Sequence, residues 1–106
     1  MHSLLIVTTT FSSREEAQVM ARGLVQSQLA ACCQITGPIE SVYPWKGAIE
    51  SSQEWRLDVK TLPSFWDAVE AYIRTHHSYE IPEILAMKTE QVDPRYQEWV
   101  ESTLRA

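Results

Sequence analysis

The chain has 106 residues, of which 44% are hydrophobic, and its formal net charge is -5. This length predicts one domain spanning residues 1–106, because independent domains cluster around roughly 100–150 residues. The acidic balance argues against nucleic-acid and anionic-membrane partners, since both bind through a basic face.

The first part of the chain carries a strand pattern followed by a helix pattern. Residues 4–10 are apolar or β-branched along nearly their whole length, which predicts a strand buried on both faces. Its apolar start is shorter than a signal-peptide core, so we expect a cytoplasmic protein. Ser12 or Ser13 can cap a helix over about residues 13–28, with Glu15 or Glu16 completing a capping box.

The middle of the chain predicts a long β-hairpin. Residues 32–43 read as a strand that bends at Gly37-Pro38, because proline removes a ladder donor and glycine permits a bulge. Turn residues at 44–47 separate it from a second strand that alternates apolar and polar residues from Ile49 to Val59. The hairpin is longer than a four-stranded sheet needs, and its unpaired edge favours pairing with another chain. We therefore expect a closed oligomer.

The last part of the chain predicts a helix, a strand and a further helix. Pro63 starts the first of these helices, which ends near His76-His77, and residues 84–87 form a short strand. Asp93-Pro94 starts the last helix, whose apolar face predicts Trp99 in the core. The whole order is that of an α+β, ferredoxin-like βαββαβ sandwich with an extended hairpin and an additional C-terminal helix.

Five blocks of the chain resemble one known family. They are LAAC at 29–32, SVYPWKG at 41–47, VKT at 59–61, HSYEIPEI at 77–84 and YQEW at 96–99. Together they are similar to the CutA divalent-cation tolerance proteins over nearly the whole chain. The resemblance implies a ferredoxin-like subunit, a homotrimer built by strand pairing between subunits, and a link to copper and other divalent cations, without a catalysed reaction. The chain departs from the family pattern at Ser78, where proline is usual, and at Lys46, where an acidic residue is usual.

Four side chains offer metal-binding chemistry. Cys32 would supply a soft thiolate, His77 an imidazole, and Glu80 and Glu83 hard oxygen donors. Their spacing is not that of a paired-ligand motif such as C-x-x-C, so the local pattern is weak. The alternatives are a Cys32 buried as a small hydrophobe and a His77 that ends a helix. We expect copper or another divalent cation as the ligand and no organic cofactor.

Residues 79–83 combine an aromatic ring, two carboxylates and a rigid Pro82, and we expect them at a pocket between subunits. Trp45 stands at the predicted hairpin tip, where its own subunit offers little to pack against, so we expect it to insert into a neighbour. Lys60 either pairs with an acid in such a cleft or lies exposed on an edge strand. The residues expected at the pocket or interface are Tyr43, Trp45, Lys60, Tyr79, Pro82 and Trp99.

These observations predict a non-enzymatic, trimeric divalent-cation binder of the metal-ion response. An alternative is a regulatory module of the signal-protein kind that holds a nucleotide or small anion between subunits. Against it, the three glycines form no glycine-rich phosphate loop. An acylphosphatase-like hydrolase is weaker still, because residues 8–14 offer only Arg14 and hydroxyls to a phosphate.

Overall fold

The computed structural model describes residues 3–105, so residues 1, 2 and 106 of the predicted domain lie outside the described part. Strands and helices follow the predicted order. They are β1 (Leu5–Phe11), α1 (Arg14–Gln26), β2 (Cys32–Trp45), β3 (Ala48–Thr61), α2 (Trp66–His76), β4 (Leu85–Lys88) and α3 (Pro94–Leu104). A single 3-10 turn at Pro63–Phe65 leads into α2. Within residues 3–105, no helix has the length and apolar composition needed to cross a membrane.

The four strands form one antiparallel sheet in the order β2-β3-β1-β4. This arrangement confirms the predicted ferredoxin-like fold, while the homotrimer stays a prediction. β1 and β3 are central, and β2 and β4 are the edges. The interpretation of Lys60 as an edge lysine is wrong, because Lys60 pairs with Cys32 on one side and Ile6 on the other.

The core lies between the sheet and the helices α1 and α2. Buried side chains from β1, β3 and both helices form it: Leu5, Val7, Phe11, Ala17, Met20, Leu24, Ala30, Leu57, Val59, Val69 and Ile73. Successive residues of a strand face opposite sides of the sheet. Because Leu57 and Val59 face the helices, Glu54 and Lys60 face the other side.

The hairpin extends well beyond the rest of the sheet. β2 and β3 have 14 residues each, but β1 pairs only with the last part of β3, from Trp55 to Thr61. The predicted bend is confirmed as a register shift between Thr36 and Ile39. The chain reverses at Lys46 and Gly47, whose φ angles are 50° and 81°. Two positive φ angles characterise the tight hairpin turn whose twist matches the flanking strands.

Helix α3 packs on a smaller cluster beside the main core. Its buried residues are Gln97, Val100 and Leu104. The expectation of Trp99 in the core of its own chain is wrong, because 47% of this residue is exposed. The buried face is rotated toward Gln97, whose Nε2 donates to the Ser3 carbonyl and to Glu101. These hydrogen bonds satisfy the donor group of the buried side chain, whereas its buried Oε1 has no hydrogen-bond partner among the described residues.

Candidate functional site

A groove of about 920 Å³ opens between the hairpin and the segment that joins α2 to β4. Its lining residues come from β1, the distal hairpin and this segment: Thr10, Ser41, Val42, Tyr43, Pro44, Trp45, Glu54, Tyr79, Glu80, Ile81 and Glu83. Three of them carry carboxylates, and none of these described lining residues is lysine or arginine. The groove therefore favours a cation over an anion.

Glu54 lies at the centre of the hydrogen bonds in this groove. Its Oε2 accepts a hydrogen bond of 2.7 Å from the Tyr79 hydroxyl, and its Oε1 accepts one of 2.7 Å from Ser41 Oγ. The bond from Ser41 joins the two strands of the hairpin, and the bond from Tyr79 joins the hairpin to the segment beyond α2. They fix the carboxylate against the hairpin and the loop at once.

Tyr79 connects the loop to the sheet through its phenol. Burial raises the pKa of Tyr79, and the hydrogen bond to Glu54 raises it further. The hydroxyl therefore stays protonated at neutral pH and acts as a donor to Glu54. Its ring lies 4.7 Å from the His77 ring, centroid to centroid. Tyr79 is thus held at both its ring and its hydroxyl.

His77 ends α2 and is held by both ring nitrogens. The Tyr79 backbone N–H donates to Nδ1 at 3.0 Å, so Nδ1 is an acceptor and Nε2–H donates to the Thr10 carbonyl at 2.8 Å. The ring also stacks on Phe11 at 4.3 Å. Burial lowers the pKa of His77, which favours this neutral tautomer. With its one acceptor lone pair occupied, the folded His77 ring has no nitrogen free for a metal.

The start of the loop is fastened to α1 through Glu16. The carboxylate accepts hydrogen bonds from the hydroxyls of Ser12, Ser13 and Ser78. These bonds, the one from Ser78 first, hold the pKa of Glu16 below its ordinary value. Ser13 is the N-cap of α1 and accepts from the Glu16 N–H, so the predicted capping pair is Ser13 and Glu16.

A second group of predicted site residues lies at the other end of the sheet. Cys32 pairs with Lys60 across β2 and β3. The Lys60 Nζ lies 5.7 Å from the centre of the Tyr96 ring, and that ring stacks on Trp99 at 5.6 Å. Lys60 therefore interacts with an aromatic ring of α3 and not with an acid in the groove.

The two cysteines, Cys32 and Cys33, are free thiols. Cys33 faces the core, and burial raises its pKa to about 12, so it stays protonated. Cys32 is partly exposed on the other face of the sheet. Cys33 is therefore the cysteine that packs against the core, whereas Cys32 is half-buried in the single chain, and its alternative role as a buried small hydrophobe stays a prediction.

The four predicted metal ligands do not come together within one chain. Glu80 and Glu83 line the groove, and His77 lies behind it against Thr10. Cys32 is level with Ile6, four residues along β1 from Thr10, which corresponds to about 13 Å along the strand. Over residues 3–105, no three His, Cys, Asp or Glu side chains are placed to hold a metal ion. One chain alone therefore does not fit a complete metal site.

The residues predicted at the pocket or interface lie in two separate regions, the groove and the opposite end of the sheet. Tyr43, Trp45 and Tyr79 line the groove, and Pro82 lies between its lining residues Ile81 and Glu83. Lys60 and Trp99 lie at the opposite end, on β3 and α3. Sequence reasoning missed Glu54. The available signal was its position on the polar face of an alternating strand, but Glu54 and Tyr79 are 25 positions apart, so no local motif joins them.

Comparisons with known proteins agree on one family. The family described as CutA1 divalent ion tolerance protein matches residues 5–103. A probable divalent-cation tolerance protein cutA homolog of Encephalitozoon cuniculi is 38% identical over 91% of this chain and 83% of its own length. A chloroplastic CutA protein of Arabidopsis thaliana is 34% identical over 95% of this chain, which spans 56% of that relative's length.

Solved structures give the same result. The CutA of Synechococcus elongatus superposes with a TM-score of 0.94 at 36% sequence identity. The alignment covers 98% of this chain and 92% of the Synechococcus chain. The fold is therefore shared over almost the whole length of both proteins.

Proposed function

Because the chain belongs to the CutA1 divalent ion tolerance protein family, we propose that it acts in divalent-cation tolerance as a non-enzymatic homotrimer whose groove binds copper and other divalent cations. The observation that carries this proposal is the groove itself, in which three carboxylates line a cavity without lysine or arginine among its described residues. This charge distribution disfavours the alternative of a nucleotide or small-anion binder. The predicted cytoplasmic location stays a prediction, since the Arabidopsis relative is named as chloroplastic.

Oxygen donors define the proposed ligand set. Glu80 and Glu83 keep their place from the sequence prediction, Glu54 joins them, and Cys32 and His77 leave the set. Carboxylates are typical ligands of hard divalent cations, and Cu²⁺ leads the affinity order among divalent first-row metals for a given set of oxygen and nitrogen ligands. When bound, the cation would neutralise the excess negative charge of the groove. A neighbouring subunit would supply the remaining donors.

The proposed trimer is supported by the apolar surface around the groove. Trp45, Ile49 and Ile81 are large hydrophobic residues, and all three are exposed in the single chain. Such residues at a rim are typical of a protein interface. The outer edge of the long strand β2 and that of the short strand β4 both lack a partner strand in the described part of the chain. A head-to-tail pairing of these edges closes into a ring where successive subunits are related by a pure rotation, and a three-fold rotation would give the proposed trimer.

The non-enzymatic part of the proposal is supported by the state of the reactive side chains. Catalysis by a nucleophile needs an activated thiol or hydroxyl next to a free base. Cys33 has a pKa raised to about 12 by burial, and both nitrogens of His77 are hydrogen-bonded. Neither group is therefore prepared for such a step.

Calorimetric titration of Cu(II) into the purified protein tests the proposal. We expect saturable binding that Glu83→Gln weakens by roughly tenfold or more, because a neutral amide replaces an anionic ligand. Glu98→Gln is the matched control, since Glu98 is an exposed glutamate on α3, away from the groove. Equal affinities of the two variants, or an unsaturable signal in the wild type, would refute a cation site in the groove.

A further inference from the structure

The segment that carries Tyr79, Glu80 and Glu83 is tied to α1 by one carboxylate. Ser78 Oγ donates to Glu16 Oε1, although the two residues are 62 positions apart. The other oxygen, Oε2, accepts from Ser12 at 2.8 Å and from Ser13 at 3.0 Å. Glu16 therefore connects the beginning of α1 directly to the residue that precedes Tyr79.

We infer that Glu16 is a positioning residue for the groove, because its hydrogen bond from Ser78 fixes the path of the chain from the end of α2 to residues 79–83. Its effect on cation binding rests on the function proposed above. Its effect on the placement of the segment does not, since that follows from the contacts within the chain.

Residues 77–84 contain no helix or strand, so few backbone hydrogen bonds hold them. Among the described contacts, side chains do this instead. His77 binds the Thr10 carbonyl, its Nδ1 accepts from the Tyr79 N–H, and the Tyr79 hydroxyl donates to Glu54. Ser78 lies between His77 and Tyr79 in the chain, and its hydrogen bond to Glu16 is its one described side-chain contact. Loss of this bond would therefore free the backbone between His77 and Tyr79.

A hydrogen bond to an ionised acceptor is stronger than one between neutral groups. The Glu16 carboxylate accepts three hydroxyl hydrogen bonds, and these stabilise its ionised form. Ser78 therefore donates to a carboxylate that is charged at neutral pH. The charge strengthens this contact between α1 and a segment that has no regular structure of its own.

Two alanine substitutions separate positioning from general stability. Ser78→Ala removes the donor on the segment, and Ser12→Ala removes a donor to the same carboxylate from the residue before the N-cap. We expect similar unfolding temperatures for both variants. By NMR, we expect the Tyr79 amide to exchange with solvent roughly five- to tenfold faster in Ser78→Ala only, as for the loss of one charge-assisted hydrogen bond. Ser78→Thr, which keeps a hydroxyl, should restore slow exchange.

The same variants are then titrated with Cu(II). We expect weaker binding in Ser78→Ala than in Ser12→Ala. Equal Tyr79 exchange rates in the two alanine variants would overturn the positioning role of Glu16, whatever the copper result. Faster exchange in Ser78→Ala with no copper binding by the wild type would keep the positioning role and reject the proposed function.

Discussion

A side chain can bind a cation only through a lone pair that the fold leaves free. The Glu54 carboxylate accepts one hydrogen bond at each oxygen, and a carboxylate has about four acceptor sites, so it can still bind a cation. His77 has a single acceptor nitrogen in its neutral form, and the Tyr79 N–H occupies it. Hydrogen bonding therefore makes Glu54 a better candidate ligand than the histidine that the sequence pattern favours.

The state of His77 predicts how stability depends on pH. Burial lowers its pKa below the ordinary value of 6.5, so between the two values the unfolded chain binds the proton more readily than the folded one. Its contribution to stability is complete above 6.5 and is lost as the pH falls through the folded pKa. Thermal unfolding followed between about pH 7.5 and about pH 5 should show a falling midpoint.

His77→Gln is the matched variant for this measurement, because glutamine keeps a donor and an acceptor but does not titrate. Its midpoint should change less over the same interval. The pKa of Glu16 is lowered from its ordinary value of 4.5, so protonation of Glu16 changes stability only below the pH range of this measurement. A variant with the same pH slope as the wild type would contradict the assignment of the neutral tautomer.

At the residue scale, the sequence predicted Glu80 and Glu83 as site residues but not Glu54, the third carboxylate of the groove. Glu80 and Glu83 stand in a dense motif beside Pro82, so a local pattern was enough to find them. Glu54 becomes part of the site only through the register shift in the hairpin and the path of the loop. The register shift and the path of the loop decide which distant residues meet, and a single amino-acid sequence contains no local pattern that predicts either of them.

The distal hairpin is the element that builds one wall of the groove, and its geometry depends on a two-residue turn. Glycine at 47 permits φ of 81°, and the lysine at 46 adopts 50° at some conformational cost. Strand register on both sides of the turn follows from this reversal. The positions of Trp45 and Ser41 in the groove therefore depend on the turn as well.

Substitutions in the turn should change stability through the backbone alone. Gly47→Ala should lower the free energy of unfolding by about 1 kcal/mol, because an L-residue is strained at this φ. A Cβ at this position would meet no atom within 4 Å, so no steric term adds to the effect. Lys46→Asn should stabilise the hairpin slightly, since asparagine tolerates positive φ.

Urea unfolding at one fixed protein concentration measures both effects, since association would make stability depend on concentration. A neutral Gly47→Ala would contradict the turn geometry.

At the element scale, the sequence predicted the order of the four strands and three α-helices, because a helix that buries one face leaves a regular apolar pattern and β1 is apolar or β-branched along nearly its whole length. Helix α3 is the instructive exception in its details. Trp99 is apolar but exposed, and Gln97 is polar but buried. The hydrophobicity pattern does not predict the burial of Gln97, because that burial depends on hydrogen bonds from Gln97 Nε2 to the Ser3 carbonyl and to Glu101.

At the scale of the whole molecule, large apolar side chains are exposed at the end that carries the hairpin tip and the groove. The exposed fraction is 58% for Trp45, 80% for Ile49 and 88% for Ile81. These residues border the groove or lie on the adjoining strands. A neighbouring subunit that covers them would also approach the three carboxylates. The proposed trimer and the proposed cation site are thus two consequences of the same surface.

Trp45→Asp should dissociate the trimer, because a charged side chain would be buried where the indole packs. Light scattering after gel filtration should then give the chain mass of 12.2 kDa, against three times this mass for the wild type. Val19→Asp is the control, since Val19 is 73% exposed on α1, outside the groove. It should leave the trimer intact. A wild type with the mass of one chain would rule out the assembly.

The most direct test of a cation site completed between subunits is an anomalous-scattering map of crystals soaked in copper. We predict a copper peak in the groove, bound by one or two of the carboxylates of Glu54, Glu80 and Glu83 and by donors from a second chain related by three-fold symmetry, since no three such side chains of one chain are placed to hold a metal. A peak bound only by Cys32 or His77, or a groove without copper in a trimeric crystal, would contradict this site.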